Sequence, residues 1–175
     1  MRDPLRNDPL DVLGNAYESL YEHVAKNFHN AEEKTDALFH KLLDEVKQEA
    51  GKIKELSVNE SEEIADWIKR DIVDLQTYLN ESGNELKDWL GFETNLVENE
   101  FLDLLLKAAD QTTIKLLQMK VNVYLTSAYH SGEIVSPGTF SCDHCDQRLT
   151  MHRSGRIPVC SNCKATNFHR FVKRN

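Results

Sequence analysis

Apolar residues recur every three or four positions from Leu10 to Leu56, the spacing of one face of an α-helix. The Asp8-Pro9 pair in front of them is typical of a helix start. The pattern predicts a single helix about 70 Å long at 1.5 Å per residue. Such a helix cannot bury its apolar stripe alone, so it needs a partner helix. The stripe, with Thr35 filling one slot, consists of Leu10, Leu13, Tyr17, Leu20, Val24, Phe28, Ala31, Leu38, Leu42, Val46, Ile53 and Leu56.

A second apolar series of the same spacing begins after a capping signal. Ser57 and Glu60 are spaced as a capping box, which predicts that a new helix starts after Leu56. Near Gly83 the series either restarts at a second capping box or continues through a kink in one helix. A short connection at Ser57 requires the two arms to lie antiparallel, so residues 1–130 are predicted to form a helical hairpin or coiled-coil-like bundle. The series runs through Ile64, Ile68, Ile72, Leu75, Leu79, Leu86, Trp89, Leu96, Phe101, Leu104, Leu105 and Ala108 to about Leu125.

The hydrophobic pattern changes after residue 130. Gly132, Pro137 and Gly138 predict a linker over residues 131–138. From residue 139 to 175, short β-type segments alternate with turns, and Gly155 is expected at the tip of a hairpin. The predicted fold class is mostly α, with a long antiparallel helical hairpin followed by a small β module.

Charge separates the same two regions. The chain has 175 residues and a net charge of −8. Residues 131–175 contain seven basic and three acidic side chains, whereas residues 1–130 carry a net charge of −12. No apolar run approaches the roughly 20 residues that span a bilayer, and the N-terminal stretch lacks the apolar core of a secretory signal. The expectation is a cytoplasmic protein with an acidic helical body and a basic end.

All four cysteines lie in the basic end. Cys142 and Cys145 form one Cys-x-x-Cys pair, and Cys160 and Cys163 form another, with 14 residues between the pairs. In a reducing compartment this spacing indicates a metal site rather than disulfides. Four thiolates suit tetrahedral Zn²⁺, and the same geometry accepts iron in a rubredoxin-like site, so zinc is favoured and iron stays open. Four cysteine ligands leave no open coordination position, which predicts a structural metal that supplies most of the folding free energy of the module.

Several stretches resemble one family of bacterial proteins. The segments SGEIVSPGTFSCDHC and GRIPVCSNC, with IADWIKRDIVDL, ELKDWL and ADQT in the helical region, resemble the YbeL-like zinc-ribbon proteins, a domain of unknown function. The resemblance covers nearly the whole chain. It implies a zinc ribbon whose ligands are Cys142, Cys145, Cys160 and Cys163, and it implies no activity. Zinc ribbons often have glycine directly after each second cysteine, where this chain has Asp146 and Lys164.

The sequence is compatible with two kinds of binding function. The favoured one is a non-catalytic, metal-stabilised interaction or scaffold protein, with an unidentified protein partner or self-association through the helices. The alternative is a nucleic-acid-binding ribbon. The acidic body disfavours it, because it repels phosphates. The candidate contacts would be Arg148, Arg153, Arg156, Arg170, Lys173 and Arg174.

Catalysis is not predicted. The helices contain no Glu-x-x-His pair of the di-iron type, and the chain has neither a phosphate-binding glycine loop nor a nucleophile elbow. An iron-loaded ribbon acting as an electron carrier is the least favoured function. Trp67 and Trp89 fall near the apolar stripe, which predicts packing rather than ligand stacking.

Overall fold

A computed structural model describes residues 9–80, 83–109 and 129–172 of the chain. The helical part consists of α1 (Pro9–Asn30), α2 (Asp36–Ala50), α3 (Val58–Asn80), α4 (Leu86–Leu90) and α5 (Asn99–Ala108). A short 3₁₀ turn (Thr94–Leu96) precedes α5. Among the helices in these ranges, none combines the length and apolarity needed to cross a membrane.

The predicted single helix from Leu10 to Leu56 is wrong, because the chain turns between α1 and α2. Thr35 is the N-cap of α2, and its hydroxyl accepts a hydrogen bond from the N–H of Leu38 at 3.1 Å. The two helices pack against each other, with the rings of Phe28 and Phe39 5.6 Å apart. Apolar spacing persists across the turn because both helices face the same core, so periodicity alone could not reveal the break.

The capping signal at Ser57 is confirmed, but with one difference. Ser57 Oγ accepts the N–H of Glu60 at 3.1 Å, as an N-cap should. The carboxylate of Glu60 does not complete the capping box. It pairs instead with Arg156 in the C-terminal region, at 2.6 Å. The N-cap prediction therefore holds, while the Glu60 side chain joins the helices to the C-terminal region.

The second arm is not one continuous helix. It breaks after Asn80, Gly83 has a φ of +85°, and α4 begins at Leu86. α2 packs on α1 and α3, and α5 packs on α1, so the predicted pair of long arms is replaced by a bundle of shorter helices. Trp67 and Trp89 are both buried in its core, as predicted. The part of the series predicted to reach Leu125 lies outside the described residues.

Six short strands form the C-terminal region, residues 129–172, which we call the ribbon. They are β1 (Tyr129–His130), β2 (Ile134–Val135), β3 (Gly138–Cys142), β4 (Arg148–Met151), β5 (Gly155–Arg156) and β6 (Asn167–Arg170). Four of them form an antiparallel sheet in the order β1-β6-β3-β4, and β2 pairs antiparallel with β5. The β-type segments are thus confirmed in β3, β4 and β6. Gly155 lies in β5 and not at a hairpin tip.

Residues 131–138 do not behave as an exposed linker. Residues 134–138 are buried, they include β2, and Ile134 belongs to the helical core. The sheet itself starts earlier than predicted, at Tyr129, which pairs with Phe168. Glycine and proline marked the end of regular helical patterning here, but they did not indicate exposure, because the segment is packed against α1 and α3.

Candidate metal centre

The first Cys-x-x-Cys turn follows directly from β3. The N–H of Asp146 donates to the carbonyl of Cys142 at 3.0 Å, and the N–H of Cys142 donates to the carbonyl of Gln147 at 2.9 Å. The N–H of His144 points to the Cys142 sulfur at 3.5 Å. These bonds hold Cys142 and Cys145 on the same side of a tight turn.

The second turn repeats the first. Lys164 N–H donates to the Cys160 carbonyl at 3.0 Å, and Cys160 N–H donates to the Ala165 carbonyl at 2.9 Å. Lys164 has a φ of 62°, and its counterpart Asp146 in the first turn has a φ of 59°. Both positions therefore adopt the left-handed conformation that glycine favours, although neither is glycine. The two turns therefore carry backbone strain that glycine at these positions would relieve.

The two turns bring all four sulfur atoms together. The four Sγ atoms lie within 4.8 Å of one another. Cys142 is 3.6 Å from Cys163, and Cys145 is 3.6 Å from Cys160. A tetrahedral zinc site with Zn–S bonds of about 2.3 Å has sulfur atoms about 3.8 Å apart, whereas a disulfide bond is about 2.05 Å long. The four free thiols fit one tetrahedral metal ion.

Burial and backbone hydrogen bonds shift the pKa values of these thiols in opposite directions. The backbone N–H of Cys163 lowers the pKa of Cys160 to about 6, against the effect of burial. At Cys163 the N–H of Ala165 acts in the same direction, but burial and the neighbouring sulfurs raise the pKa to about 12. Four thiolates so close together repel one another, and a divalent cation between them would offset that repulsion.

The nearby histidines lie outside the sulfur cluster. His144 is exposed, His152 packs edge-on against Phe92 at 4.7 Å, and His169 contacts Asp143 at 2.6 Å. Within the described ranges, the four cysteines form the sole group with metal-ligand geometry.

A buried polar network joins the ribbon to the helices, and sequence reasoning missed it. We call it the interface network; it comprises Tyr17, Arg70, Asp71, Asp74, Trp89, Tyr129, Glu133, Ser136 and Arg170. Its first centre is Asp71 on α3, which is fully buried. Asp71 accepts hydrogen bonds from the Tyr17 hydroxyl, from Arg70 Nε at 3.1 Å and from the Ser136 N–H at 2.8 Å. Arg70 also pairs with Glu133 beside β2.

The second centre is Asp74, one turn further along α3. It accepts hydrogen bonds from the Tyr129 hydroxyl at 2.9 Å and from Trp89 Nε1 at 3.3 Å, and it pairs with Arg170 Nε at 3.2 Å. The Arg170 guanidinium stacks on the Trp89 ring, 3.7 Å from its centroid. Burial raises the pKa of Asp74, and the positive charge of Arg170 counteracts this shift.

The sequence did contain a signal for this network. Asp71 stands three residues after Ile68 and four before Leu75, so it lies on the apolar face of α3. A charged residue on such a face requires buried partners. That requirement could have been deduced, but its partners could not, because Ser136 is 65 residues away along the chain.

Four of the six candidate nucleic-acid contacts lie within the described residues, and their surroundings differ. Arg170 is 8% exposed and held inside the molecule, so it cannot serve as a contact. Arg156 is paired with Glu60 and also donates to the carbonyl of Gly132. Arg148 is exposed and lies 3.8 Å over the ring of Phe171, and Arg153 is exposed. Lys173 and Arg174 lie outside the described residues.

Comparisons with known sequences agree with this geometry. The model of the family described as "Zinc-ribbon containing domain" matches residues 26–171. The chain is 23% identical over 161 residues to "Uncharacterized protein YbeL" of Escherichia coli strain K12, covering 92% of this chain and 97% of that protein. The YbeL proteins of Escherichia coli O6:H1 and O157:H7 align with the same figures. No solved structure matches the chain at comparable significance.

Proposed function

The chain belongs to the zinc-ribbon containing domain family, and on that premise we propose that it is a non-catalytic binding protein stabilised by one Zn²⁺. The ligands are Cys142, Cys145, Cys160 and Cys163. The observation that carries the proposal is the convergence of their four sulfurs within 4.8 Å. A site with four cysteine ligands has no open position for substrate or water, which supports a structural rather than a catalytic metal.

Zinc is favoured over iron for this site, and the two metals are separable by experiment. Protein purified under reducing conditions should contain about one zinc per chain by elemental analysis and should be colourless. A red protein containing about one iron per chain would instead support an electron-carrying ribbon. Protein free of both metals, with its thiols reduced, would contradict the proposed metal site.

The proposed role of the helices is to bind another protein. Residues 1–130 carry a net charge of −12, and acidic side chains such as Glu62, Glu63 and Asp66 on α3 are exposed. A surface of this sign favours a partner with a positively charged face and repels nucleic-acid phosphates. The partner is therefore proposed to be a basic protein surface. Self-association through the helices is the variant of this role in which the partner is a second copy.

Affinity purification of the tagged full-length chain, with mass spectrometry of bound proteins and metal, tests this role. The matched control is a triple variant, Glu62→Lys, Glu63→Lys and Asp66→Lys, which reverses charge on the exposed face of α3 and leaves the interface network intact. Support requires a partner that binds the original chain, is released by salt and is lost in the variant. Sedimentation separates self-association from a different partner. A monomer with no protein lost in the variant would overturn the role.

A further inference from the structure

Arg170 connects the metal-binding sheet to the helices. It lies on β6, two residues after Phe168, whose Cα pairs with that of Cys142. Its guanidinium leaves the sheet and reaches Trp89 on α4 and Asp74 on α3. The same strand therefore carries a residue beside the metal centre and a residue inside the helical interface.

The segment between β2 and β3 contacts the same guanidinium. Arg170 Nη1 donates to the carbonyl of Pro137 at 2.8 Å, and Nη2 lies 3.2 Å from Ser136 Oγ. A Cβ at Gly138 would overlap the guanidinium, so only glycine leaves room for it there. Arg170 thus occupies its site only while β6 and the start of β3 lie side by side.

The metal ligands lie close to the ends of β3 and β6, where a bound metal ion would tie the two strands together. Cys142 ends β3, while Cys160 and Cys163 come from the turn that precedes β6. The ribbon has few buried apolar residues of its own, and two of the seven are cysteines. Without a metal ion, so small a core would hold the two strands in register only weakly.

Separation of the strands would remove several partners of the two carboxylates on the helical side. Asp74 would lose Arg170 and the Tyr129 hydroxyl, and Asp71 would lose the Ser136 N–H. Asp71 is fully buried in the folded protein, and the loss of hydrogen-bond partners around a buried carboxylate is unfavourable, so α3 should become less stable. Metal binding by the cysteines and the stability of α3 and α4 are therefore linked.

We infer that the metal ion acts as a conformational switch that holds the ribbon against α3 and α4 through Arg170 and Asp74. Metal loss opens this contact. The inference rests on the metal binding proposed above. Linkage is reciprocal, so a change on the helix side that weakens the contact must also weaken metal binding. A ribbon that folds independently of the helices would show no such effect.

The test measures zinc affinity in helix variants of the full-length protein. Asp74→Asn keeps the size of the side chain and removes the charge that pairs with Arg170, without touching a cysteine. Asp66→Asn is the matched control, because Asp66 is exposed on the same helix. Competition with a chromophoric zinc chelator should show about tenfold weaker binding for Asp74→Asn and a change of less than about twofold for Asp66→Asn.

Two further measurements keep the inference open to refutation. If Asp74→Asn does not fold, Trp89→Phe removes one donor to Asp74, keeps an aromatic ring beside Arg170, and should weaken zinc binding by a smaller factor. In the original protein, zinc removal should speed amide hydrogen exchange in α3 and α4 as well as in residues 129–172. Equal zinc affinities in Asp74→Asn and Asp66→Asn, with faster exchange confined to residues 129–172, would overturn the inference alone. Failure of the original protein to bind zinc would overturn the proposed function with it.

Discussion

The helical bundle and the ribbon are stabilised in different ways. The bundle buries large side chains such as Tyr17, Tyr21, Phe39, Trp89 and Phe101, each with 2% exposure or less. Among its described residues, the core of the ribbon has seven buried apolar side chains, and two of these are cysteines. One region can therefore rely on hydrophobic burial, whereas the other needs a metal ion and contact with its neighbour. The interface network joins these two regions, so the larger core of the bundle can help to stabilise the smaller core of the ribbon.

The largest expected effect comes from removing one metal ligand. Cys160→Ser leaves three thiolates, so bound metal should fall from about one ion per chain to nearly none. The ribbon should lose amide protection, while far-UV circular dichroism should still report the helices. Ser161→Ala, an exposed change in the same turn, should keep full metal content. Retention of the metal in Cys160→Ser would mean that the ribbon does not depend on this site.

The next effect tests whether the two regions share a buried charge centre. Asp71→Ala removes one of the two carboxylates that pair with Arg70 and the acceptor of the Ser136 N–H, which should lower the free energy of unfolding by about 3–5 kcal/mol. The exposed Asp66→Ala should change it by less than about 0.5 kcal/mol. Urea unfolding of the zinc-loaded protein measures both. Equal values for the two variants would show that the interface network contributes little to stability.

Close packing between the regions can be tested at a glycine. A Cβ at Gly14 on α1 would overlap the backbone carbonyl of Ser154, next to β5. Gly14→Ala should therefore destabilise the protein by about 1–3 kcal/mol, although alanine favours a helix. Gly51 is the control, because it has a φ of −61° and its nearest neighbour would be 3.5 Å away. Gly51→Ala should be stabilising by about 0.4–1 kcal/mol in the same unfolding experiment. A stabilising Gly14→Ala would refute the close approach.

A smaller effect concerns strain inside the ribbon. Lys164 holds a left-handed conformation, so Lys164→Gly should stabilise the ribbon by about 0.5–1 kcal/mol. Asp146→Gly should gain less, because aspartate tolerates this conformation better than lysine does. Thermal unfolding monitored by release of zinc compares the two. A loss of stability in Lys164→Gly would show that the lysine side chain has a role that outweighs the backbone strain.

The smallest expected effect is a pH-dependent one at the edge of the interface. Burial raises the pKa of Glu18 on α1, against hydrogen bonds from Ser154. The folded state then binds this proton more tightly than the unfolded state does, so stability falls as pH rises through the raised pKa. Glu18→Gln should stabilise the protein by less than about 1 kcal/mol at pH 7.5, since Glu18 is partly exposed. The gain should shrink towards pH 5 in urea unfolding, and a gain independent of pH would contradict the raised pKa.

Local patterns in the sequence predicted the parts of the fold that depend on neighbouring residues. The Ser57 N-cap and the segments that became β3, β4 and β6 were confirmed, as was the resemblance to the YbeL-like proteins. The turn between α1 and α2 was missed. Thr35 provides a good N-cap there, but its position in the apolar repeat concealed it. Periodicity reports which face of a helix is buried, and it does not report where one helix ends and another begins on the same core.

The sequence by itself determined the two pairs of candidate metal ligands, because each Cys-x-x-Cys turn is fixed by hydrogen bonds between residues at most five apart. Only the tertiary structure decided what surrounds them. Residues 131–138 became buried packing instead of a linker, and Arg170 became a buried partner of Asp74 instead of a surface contact. Both outcomes depend on pairs such as Asp71 and Ser136, which are far apart along the chain. A buried charge makes a partner necessary, and the folded chain determines which residue that partner is.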